Sequence, residues 1–224
     1  ARLALSFEPE ASSAMRVKIC GLRDLSATDA AVSAGAAYVG FVFFPASPRH
    51  VDWSQAADLM AAVRPGVCKV GLVVEPDEAT LARLDALPLD MVQLHGNETP
   101  EQVVAIRSRL GLPVMKAVGI ASAEDLDRLD AYEAVADQIL CDAKPARSPL
   151  PGGTGLAFDW RLIAGRRWRK PWMLAGGLSP NNVTEAVAMT GASQLDVSSG
   201  VEEAPGVKSP AKIEAFLAAA EAAA

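Results

Sequence analysis

Short apolar segments alternate with longer amphipathic segments along most of the chain. The apolar segments favour Val, Ile, Leu and Phe and show little alternation with polar residues, which is typical of parallel strands buried on both faces. Eight such strands are predicted, at residues 16–20, 37–43, 67–74, 90–95, 113–118, 137–142, 171–175 and 194–198.

Helical periodicity occupies the intervals between these strands. Three stretches place apolar residues at spacings of three and four, so that each presents one apolar face. They contain Ala56, Leu59, Met60 and Val63, then Val103, Ile106 and Leu110, and finally Ile213, Phe216, Leu217 and Ala220. Helix-start signals are also present. They are Asp24, Ser54, Thr99-Pro100, Ser179-Pro180 and Ser209-Pro210.

The eightfold alternation of strand and helix predicts a closed (β/α)8 barrel, or TIM barrel, within the α/β class. The sixth helical segment, at about residues 158–164, is short. An open doubly wound sheet is the alternative, but no G-x-G-x-x-G motif follows the first strand to favour it. We expect a single barrel domain over residues 15–224, preceded by a disordered or loosely packed tail over residues 1–14.

The charge balance narrows the classes of partner. The chain has 21 Lys and Arg against 27 Asp and Glu, a net charge of −6, and its pI is near 5.0. A nucleic-acid platform or an anionic membrane surface needs a basic face, so neither partner is expected. An acidic protein can still bind a small phosphorylated molecule through backbone amides and one or two arginines.

Cysteine and histidine usage argues against a disulfide framework and against a metal centre. The three cysteines, Cys20, Cys68 and Cys141, have no paired spacing, and the only histidines are His50 and His95. No metal and no cofactor is therefore expected. No apolar run approaches the roughly 18 residues of a membrane span, and no secretory signal pattern is recognisable. These features predict a cytoplasmic protein.

Reactive residues collect at the carboxyl ends of the predicted strands, where barrel enzymes build their active sites. Cys20 ends the first strand, and Arg49 follows the second. His95 ends the fourth strand, Asp142 ends the sixth, and Asp196 lies near the end of the eighth. Because these strand ends meet at one rim of a barrel, a site is predicted there.

Two small-residue segments follow the last two strands. Gly176-Gly177 comes after the seventh strand, and Ser198-Ser199-Gly200 comes after the eighth. The loops after these two strands form the recurrent phosphate site of barrel enzymes. Glycines that only permit tight turns are the alternative for either segment alone, but their occurrence at consecutive strand ends favours phosphate binding.

The longest irregular segment covers residues 143–157 and contains three prolines and three glycines. A loop of this length in a compact domain is usually functional or disordered. Its glycines and prolines suit hinges, so a closing lid is one interpretation, with Gly153, Thr154 and Gly155 meeting the substrate.

Taken together, seven segments resemble the phosphoribosylanthranilate isomerase family, from Met15 to the last helix. They are Val17-Lys18-Ile19-Cys20-Gly21, Val39-Gly40-Phe41-Val42-Phe43, Ser47-Pro48-Arg49, Val92-Gln93-Leu94-His95-Gly96, Gly152-Gly153-Thr154-Gly155, Ala175-Gly176-Gly177-Leu178 and Asp196-Val197-Ser198-Ser199-Gly200-Val201-Glu202. The chain departs from the family in the thiol of Cys141 before Asp142, and its first fourteen residues have no family counterpart.

The resemblance implies an intramolecular aldose–ketose isomerase of tryptophan biosynthesis that needs neither metal nor cofactor. An Amadori rearrangement would convert N-(5-phosphoribosyl)anthranilate to 1-(2-carboxyphenylamino)-1-deoxyribulose 5-phosphate. It requires an acid at the furanose ring oxygen, for which Asp142 is the candidate, and a base at C2, for which Cys20 is the candidate. The acid role requires a carboxyl that still holds its proton near pH 7, whereas an ordinary aspartic acid has a pKa near 3.9.

Each of these roles has a structural alternative. Asp142 could be a capping or loop-ordering carboxylate, and Cys20 a small buried apolar residue, which is the usual state of a free cysteine. Lys18 lies on the same face of the first strand as Cys20, so we hypothesise that its charge favours the thiolate. Cys68 and Cys141 are assigned to packing, with the Cys141 side chain pointing away from the barrel interior.

The remaining substrate contacts are assigned by chemistry and by the resemblance. The planar guanidinium of Arg49 suits the anthranilate carboxylate. Asp196 suits a ribose hydroxyl or a bracing role in the phosphate loop, and His95 and Gly155 are expected to line the pocket. Gly176, Gly177, Ser198, Ser199 and Gly200 are the predicted phosphate-binding residues.

Three other functions stay open at this point. A related barrel isomerase of histidine biosynthesis uses an aspartate at the end of its first strand, where this chain has Cys20. A class I aldolase would use Lys116, in the fifth strand, as its Schiff-base amine. A non-catalytic phosphosugar-binding barrel would keep the glycine loops without needing Cys20 and Asp142. A monomer and a weak homodimer are both compatible with the sequence.

Overall fold

A computed structural model describes residues 14–143 and 159–224. Eight parallel strands form a closed barrel in sequence order, with β8 pairing back onto β1. The predicted fold is therefore confirmed, and each strand lies where an apolar segment predicted it. The strands are β1 (Arg16–Cys20), β2 (Tyr38–Val42), β3 (Cys68–Val73), β4 (Met91–Leu94), β5 (Val114–Ile120), β6 (Gln138–Ala143), β7 (Trp172–Leu174) and β8 (Gln194–Val197).

Seven α-helices lie among the described residues. Each of the three predicted apolar faces is buried, because it covers the outer surface of the barrel. The helices are α1 (Leu25–Ser33), α2 (Trp53–Ala61), α3 (Glu78–Asp85), α4 (Pro100–Leu110), α5 (Leu126–Val135), α6 (Val183–Thr190) and α7 (Pro210–Ala222). In the described part of the predicted sixth segment, only a single 3-10 turn forms, at Trp160–Leu162.

The helix-start signals are partly confirmed. The Asp24 side chain accepts a hydrogen bond from the backbone of α1, and Thr99 forms a capping box with Gln102 at α4. Ser54 lies in the first turn of α2, as predicted, and the cap of that helix is Asp52.

One start signal is misplaced. Ser179 does not cap α6, because Ser179 to Asn182 form a turn in which the Ser179 amide donates to the Asn182 side chain. The helix begins only after that turn, with Asn182 in the N-cap position. Ser209 does precede α7, and Pro210 occupies its first turn as predicted.

The barrel interior is filled by side chains except at one end. A cluster inside the lower barrel consists of Tyr38, Cys68, Val70, Met91, Met115, Ala117, Leu140, Met173 and Ala175. Above it, Cys20, Val42 and Leu72 form a smaller cluster. Above this layer, at the carboxyl ends of the strands, the described residues enclose open space, as expected for a packed barrel.

A short hairpin after β8 was not expected from the sequence. Its strands are β9 (Glu202–Ala204) and β10 (Val207–Lys208), which pair antiparallel. At its tip Gly206 has φ +80°, and a β-carbon there would collide with the carbonyl oxygen of Pro48. The hairpin consequently packs against the loop after β2 and carries Glu202 and Lys208 to the rim.

Two predictions fall largely outside the described residues. The tail over residues 1–14 is described only at Ala14, and the long loop over residues 143–157 only at Ala143, where β6 ends. The boundary of the domain at residue 15, the lid and the contacts of Gly153, Thr154 and Gly155 stay predictions.

Candidate active site

A cavity opens at the carboxyl rim and contains about 630 Å³ of space, open solvent at its mouth included. Nine of the predicted site residues line it: Cys20, Arg49, His95, Asp142, Gly176, Gly177, Asp196, Ser198 and Ser199. The apolar part of the wall comes from Val42, Phe44, Leu72, Val74, Ala175 and Leu178, with Ser47 beside them. Of the remaining predictions, Gly200 directly follows the lining residue Ser199, and Gly155 lies outside the described chain.

Cys20 reaches the cavity from the last position of β1. Its side chain is buried, and a β-carbon on the adjacent Gly40 would lie 3.1 Å from its sulfur. Burial raises the pKa of the Cys20 thiol, while the neighbouring Lys18 charge acts to lower it. The hypothesis that Lys18 favours the thiolate therefore has the right sign, but desolvation is the larger effect.

Lys18 itself is fully buried below the cavity and donates to Asp196 Oδ1 across the β1–β8 pair, at 2.8 Å. Burial acts to lower the pKa of Lys18, but the Asp196 carboxylate and the Cys20 thiol raise it overall. Lys18 consequently stays charged beside Cys20. Asp196 offsets part of its field and acts to raise the pKa of Cys20.

Asp142 forms one end of a polar chain that crosses from β6 to β4. Its Oδ2 lies 3.0 Å from His95 Nε2, and His95 Nδ1 lies 3.0 Å from the side-chain nitrogen of Gln93. Asp142 is only 7% exposed and Gln93 is fully buried. His95 thus contacts the candidate acid directly, in addition to lining the cavity as predicted.

Arg49 is held at the rim by an acidic partner that the sequence did not reveal. Its Nε and Nη2 each donate to a carboxylate oxygen of Glu202 at 2.8 Å. Burial acts to raise the pKa of Glu202, but hydrogen bonds from Arg49 and Lys208 hold it below its ordinary value. Arg49 Nη1 is engaged by no residue in the described chain and remains available for an anion.

Lys208 is the second unpredicted residue of the rim. It is 5% exposed and donates to Glu202 at 2.8 Å and to the Ser198 carbonyl at 2.9 Å. It also contacts the Ser198 hydroxyl, which in turn donates to the Cys20 carbonyl at 3.1 Å. The Ser198 side chain therefore braces β8 against β1, and its contact with phosphate stays a prediction.

The loops after β7 and β8 touch each other, as a shared anion site requires. Gly176 and Gly177 have φ of +86° and +67°, and their amides donate no backbone hydrogen bond to any described residue. A β-carbon on Gly200 would collide with the carbonyl oxygen of Leu178. Glycine at position 200 thus permits the close approach of the two loops.

The other cysteines agree with a packing role. Cys141 is buried in the layer between barrel and helices, on the opposite face of β6 from Asp142. Cys68 lies in the lower barrel, and burial raises its pKa to about 12. Both thiols are free, and neither lines the cavity.

The structure removes the chemical basis of the aldolase alternative. Lys116 Nζ is 2.9 Å from Glu98 Oε2 and also donates to the carbonyl oxygens of Leu94, Gly96 and Ala117. Burial lowers its pKa despite the Glu98 charge. The amine does not line the cavity, so it is not placed to attack a carbonyl substrate.

Residues 14–143 and 159–224 contain no group of three or more His, Cys, Asp and Glu side chains placed to hold a metal ion. Within the same ranges, no helix has the length and apolar character needed to cross a bilayer.

The closed barrel and its rim cavity, with thiol, carboxyl and glycine loops at the strand ends, define the class of (β/α)8-barrel enzymes. A family model described as N-(5'phosphoribosyl)anthranilate (PRA) isomerase matches residues 17–219. The chain belongs to this family, which confirms the resemblance found in the sequence.

Individual relatives agree with that assignment. A Cereibacter sphaeroides protein named N-(5'-phosphoribosyl)anthranilate isomerase is 62% identical over 208 residues, which are 92% of this chain and 98% of that protein. The crystal structure of phosphoribosyl anthranilate isomerase from Thermotoga maritima has a TM-score of 0.84 at 38% identity, covering 93% and 99% of the two chains. A second, in complex with reduced 1-(o-carboxyphenylamino)-1-deoxyribulose 5-phosphate, has a TM-score of 0.81 at 36% identity, with the same coverage.

Proposed function

We propose that this protein is an aldose–ketose isomerase that converts N-(5-phosphoribosyl)anthranilate to 1-(2-carboxyphenylamino)-1-deoxyribulose 5-phosphate. The observation that carries the proposal is the placement of Cys20 and Asp142 in one cavity beside the two glycine loops. The family membership and the product analogue bound to a solved relative support the same reaction.

Asp142 is the general acid of this mechanism. It donates a proton to the furanose ring oxygen while the anilino nitrogen pushes electrons toward C1, so the C1–O bond breaks and an open-chain iminium forms. Burial of the Asp142 carboxyl limits the access of water to this proton transfer, and the contact with His95 fixes the orientation of the carboxyl.

Cys20 is the general base of the second step. Its thiolate removes the C2 proton from the iminium, which becomes a neutral enolamine and then tautomerises to the ketone. Because burial raises the pKa of Cys20, the thiolate is scarce in the free protein near neutral pH. The cationic iminium formed in the first step stabilises a neighbouring thiolate, which couples the two steps.

The ends of the substrate are assigned to two separate cationic or amide-rich regions. Arg49 Nη1 faces the anthranilate carboxylate, and the loops around Gly177 and Ser199 hold the phosphate through backbone amides. Asp196, with Oδ1 already bound to Lys18, keeps Oδ2 for a ribose hydroxyl.

The proposal also includes a cytoplasmic location and a monomeric or weakly dimeric state. The three free thiols support the cytoplasmic location.

The purified protein should consume N-(5-phosphoribosyl)anthranilate without added metal or cofactor. Loss of the substrate's fluorescence measures the rate, and the ketose product is identified by mass and chromatography. The doubly phosphorylated aminoaldose of histidine biosynthesis serves as the competing substrate. A preparation that processes only that compound, or neither, contradicts the assignment.

Replacing Gly200 by alanine should weaken substrate binding more than it slows turnover. The new β-carbon would collide with the Leu178 carbonyl, so the two phosphate loops must separate. Loss of one charge-assisted hydrogen bond raises KM by roughly tenfold or more. Gly111→Ala is the control, since a β-carbon there strains the backbone, at φ +61°, but meets no atom within 4 Å at the end of α4, away from the cavity. Equal KM values for the two variants would contradict the loop assignment.

A further inference from the structure

We propose that Gln93 is a positioning residue that lets the His95–Asp142 pair take up the proton used by the general acid. The side-chain amide of Gln93 would do so by turning over between two orientations. The inference rests on the proposed role of Asp142, but its test reads out the imidazole itself.

Gln93 and His95 lie on the same face of β4, because they are two residues apart. The amide nitrogen of Gln93 is 3.0 Å from His95 Nδ1, and His95 Nε2 is 3.0 Å from Asp142 Oδ2. The three side chains therefore form one continuous hydrogen-bonded chain. A change at Gln93 reaches the carboxyl only through the imidazole.

In the observed orientation, the Gln93 amide donates to Nδ1. The neutral ring then carries its hydrogen on Nε2 and donates it to Asp142 Oδ2. The proton between the two side chains then belongs to the imidazole, and Oδ2 has none to give to the substrate.

In the reversed orientation, the Gln93 carbonyl oxygen faces Nδ1 and accepts a hydrogen from it. His95 Nε2 and Asp142 Oδ2 then share one additional proton between them. The chain thus holds one proton more than in the observed orientation, and that proton lies at the candidate acid. Uptake of the proton and rotation of the amide are coupled, because Nδ1 cannot carry a hydrogen toward an N–H donor.

Hydrogen bonding holds only one end of the Gln93 amide. Its oxygen is buried and meets no hydrogen-bond donor among the described residues. An amide with partners for both ends would be fixed in one orientation, whereas here the observed orientation leaves the buried oxygen without a donor. The unpartnered oxygen gains a donor, Nδ1–H, only when the pair is protonated.

Other charged groups surround the pair but do not change in the test. Those facing the cavity are Cys20 on β1, Arg49 after β2 and Asp196 on β8. Lys116, Glu98 and Glu75 lie behind the loop that follows β4. Lys116 donates to the Gly96 carbonyl, and Glu98 accepts from the backbone amides of Gly96 and Glu75. None of these groups is altered by a substitution at position 93, so a shift of the His95 midpoint reports the side chain at that position.

The experiment compares Gln93→Met with Gln93→Glu by 15N resonances of the histidine rings during a pH titration. The chain has only two histidines, and a His50→Asn variant assigns the signals. Gln93→Met removes the acceptor for Nδ1–H, so the midpoint for uptake of the additional proton falls by about one pH unit, the size of one hydrogen bond to a charged group. Gln93→Glu supplies an anionic acceptor and moves the midpoint in the opposite direction.

Gln138→Met is the matched control, because Gln138 is a buried strand glutamine bound to Gln194 at the other end of the barrel. It should leave the His95 midpoint unchanged. If both Gln93 variants titrate like the parent, or shift in the same direction, Gln93 is only a packing residue. In the expected case, Gln93→Met also lowers kcat while KM stays within twofold or so, as for an interaction made during turnover.

The same titration separates this inference from the proposed function. Full activity of an Asp142→Asn protein, together with opposite shifts in the two Gln93 variants, would remove the acid role and leave the proton coupling intact. Unshifted midpoints with an inactive Asp142→Asn protein would do the reverse.

Discussion

An Asp142→Asn variant is expected to turn over N-(5-phosphoribosyl)anthranilate about a thousandfold more slowly, within the range of 10²–10⁴ that a positioned general acid contributes. The asparagine keeps the shape of the carboxyl and can still accept from His95 Nε2, now 3.0 Å from Asp142. It has no acidic proton for the ring oxygen, so ring opening slows. KM should change little, because no substrate anion is assigned to this residue.

The matched control for that variant is Asp90→Asn. Asp90 lies before β4 at the opposite end of the barrel, where its carboxylate accepts from the Lys69 backbone and pairs with the Lys69 side chain. Its replacement should affect the free energy of unfolding and not kcat. Steady-state fluorescence assays on both proteins, with circular dichroism to check folding, decide the matter. An Asp142→Asn protein with full kcat would refute the acid assignment.

A Cys20→Ser variant should lose activity to a similar degree, because a hydroxyl is a far weaker acid than a thiol and yields almost no alkoxide to act as the base. The substitution keeps the size of the side chain, which Gly40 and Lys18 enclose closely. Cys68→Ser is the control in the lower barrel. It buries a hydroxyl and costs about 1–3 kcal/mol in unfolding free energy, but its kcat should match that of the parent.

The pH dependence of Cys20 alkylation provides an independent check. Burial raises the pKa of the thiol, so the thiolate forms only above the ordinary range, near 8.5 for a free cysteine. The rate of modification, followed at Cys20 by mass spectrometry, should keep rising with pH beyond that value. A plateau below pH 8 would show that Lys18 outweighs desolvation. The raised pKa also means that stability contributed by the neutral buried thiol is complete below the unfolded pKa. That contribution is lost as pH rises toward the folded value.

The fold and most residues of the rim could be predicted from the sequence, because both depend on local patterns of apolar and polar residues. Parallel strands buried on both faces are uniformly apolar, and a closed ring places their carboxyl ends together. Cys20, His95 and Asp142 were therefore brought to one cavity by their positions at strand ends alone.

What the sequence missed depends on contacts between distant segments. Glu202 ends a segment that resembles the family, and Lys208 lies beyond it, but only the hairpin after β8 turns them toward Arg49 and Ser198. Gln93 was not singled out although it lies only two residues from His95, because the third member of the chain, Asp142, comes from β6 on the far side of β5. The start of α6 was misplaced at Ser179 because the Asn182 side chain folds that segment into a turn before the helix begins.

The link from Lys208 through Glu202 to Arg49 has a consequence for selectivity. One carboxylate binds both the lysine that braces the β8 loop and the arginine after β2. In the proposed function, the β8 loop binds the phosphate of the substrate and Arg49 binds its carboxylate. The distance between these two binding positions is then set by the two ion pairs of Glu202, with Lys208 and with Arg49. The rim then selects substrates by length. It binds a molecule whose carboxylate and phosphate match this fixed separation and excludes longer or shorter ones.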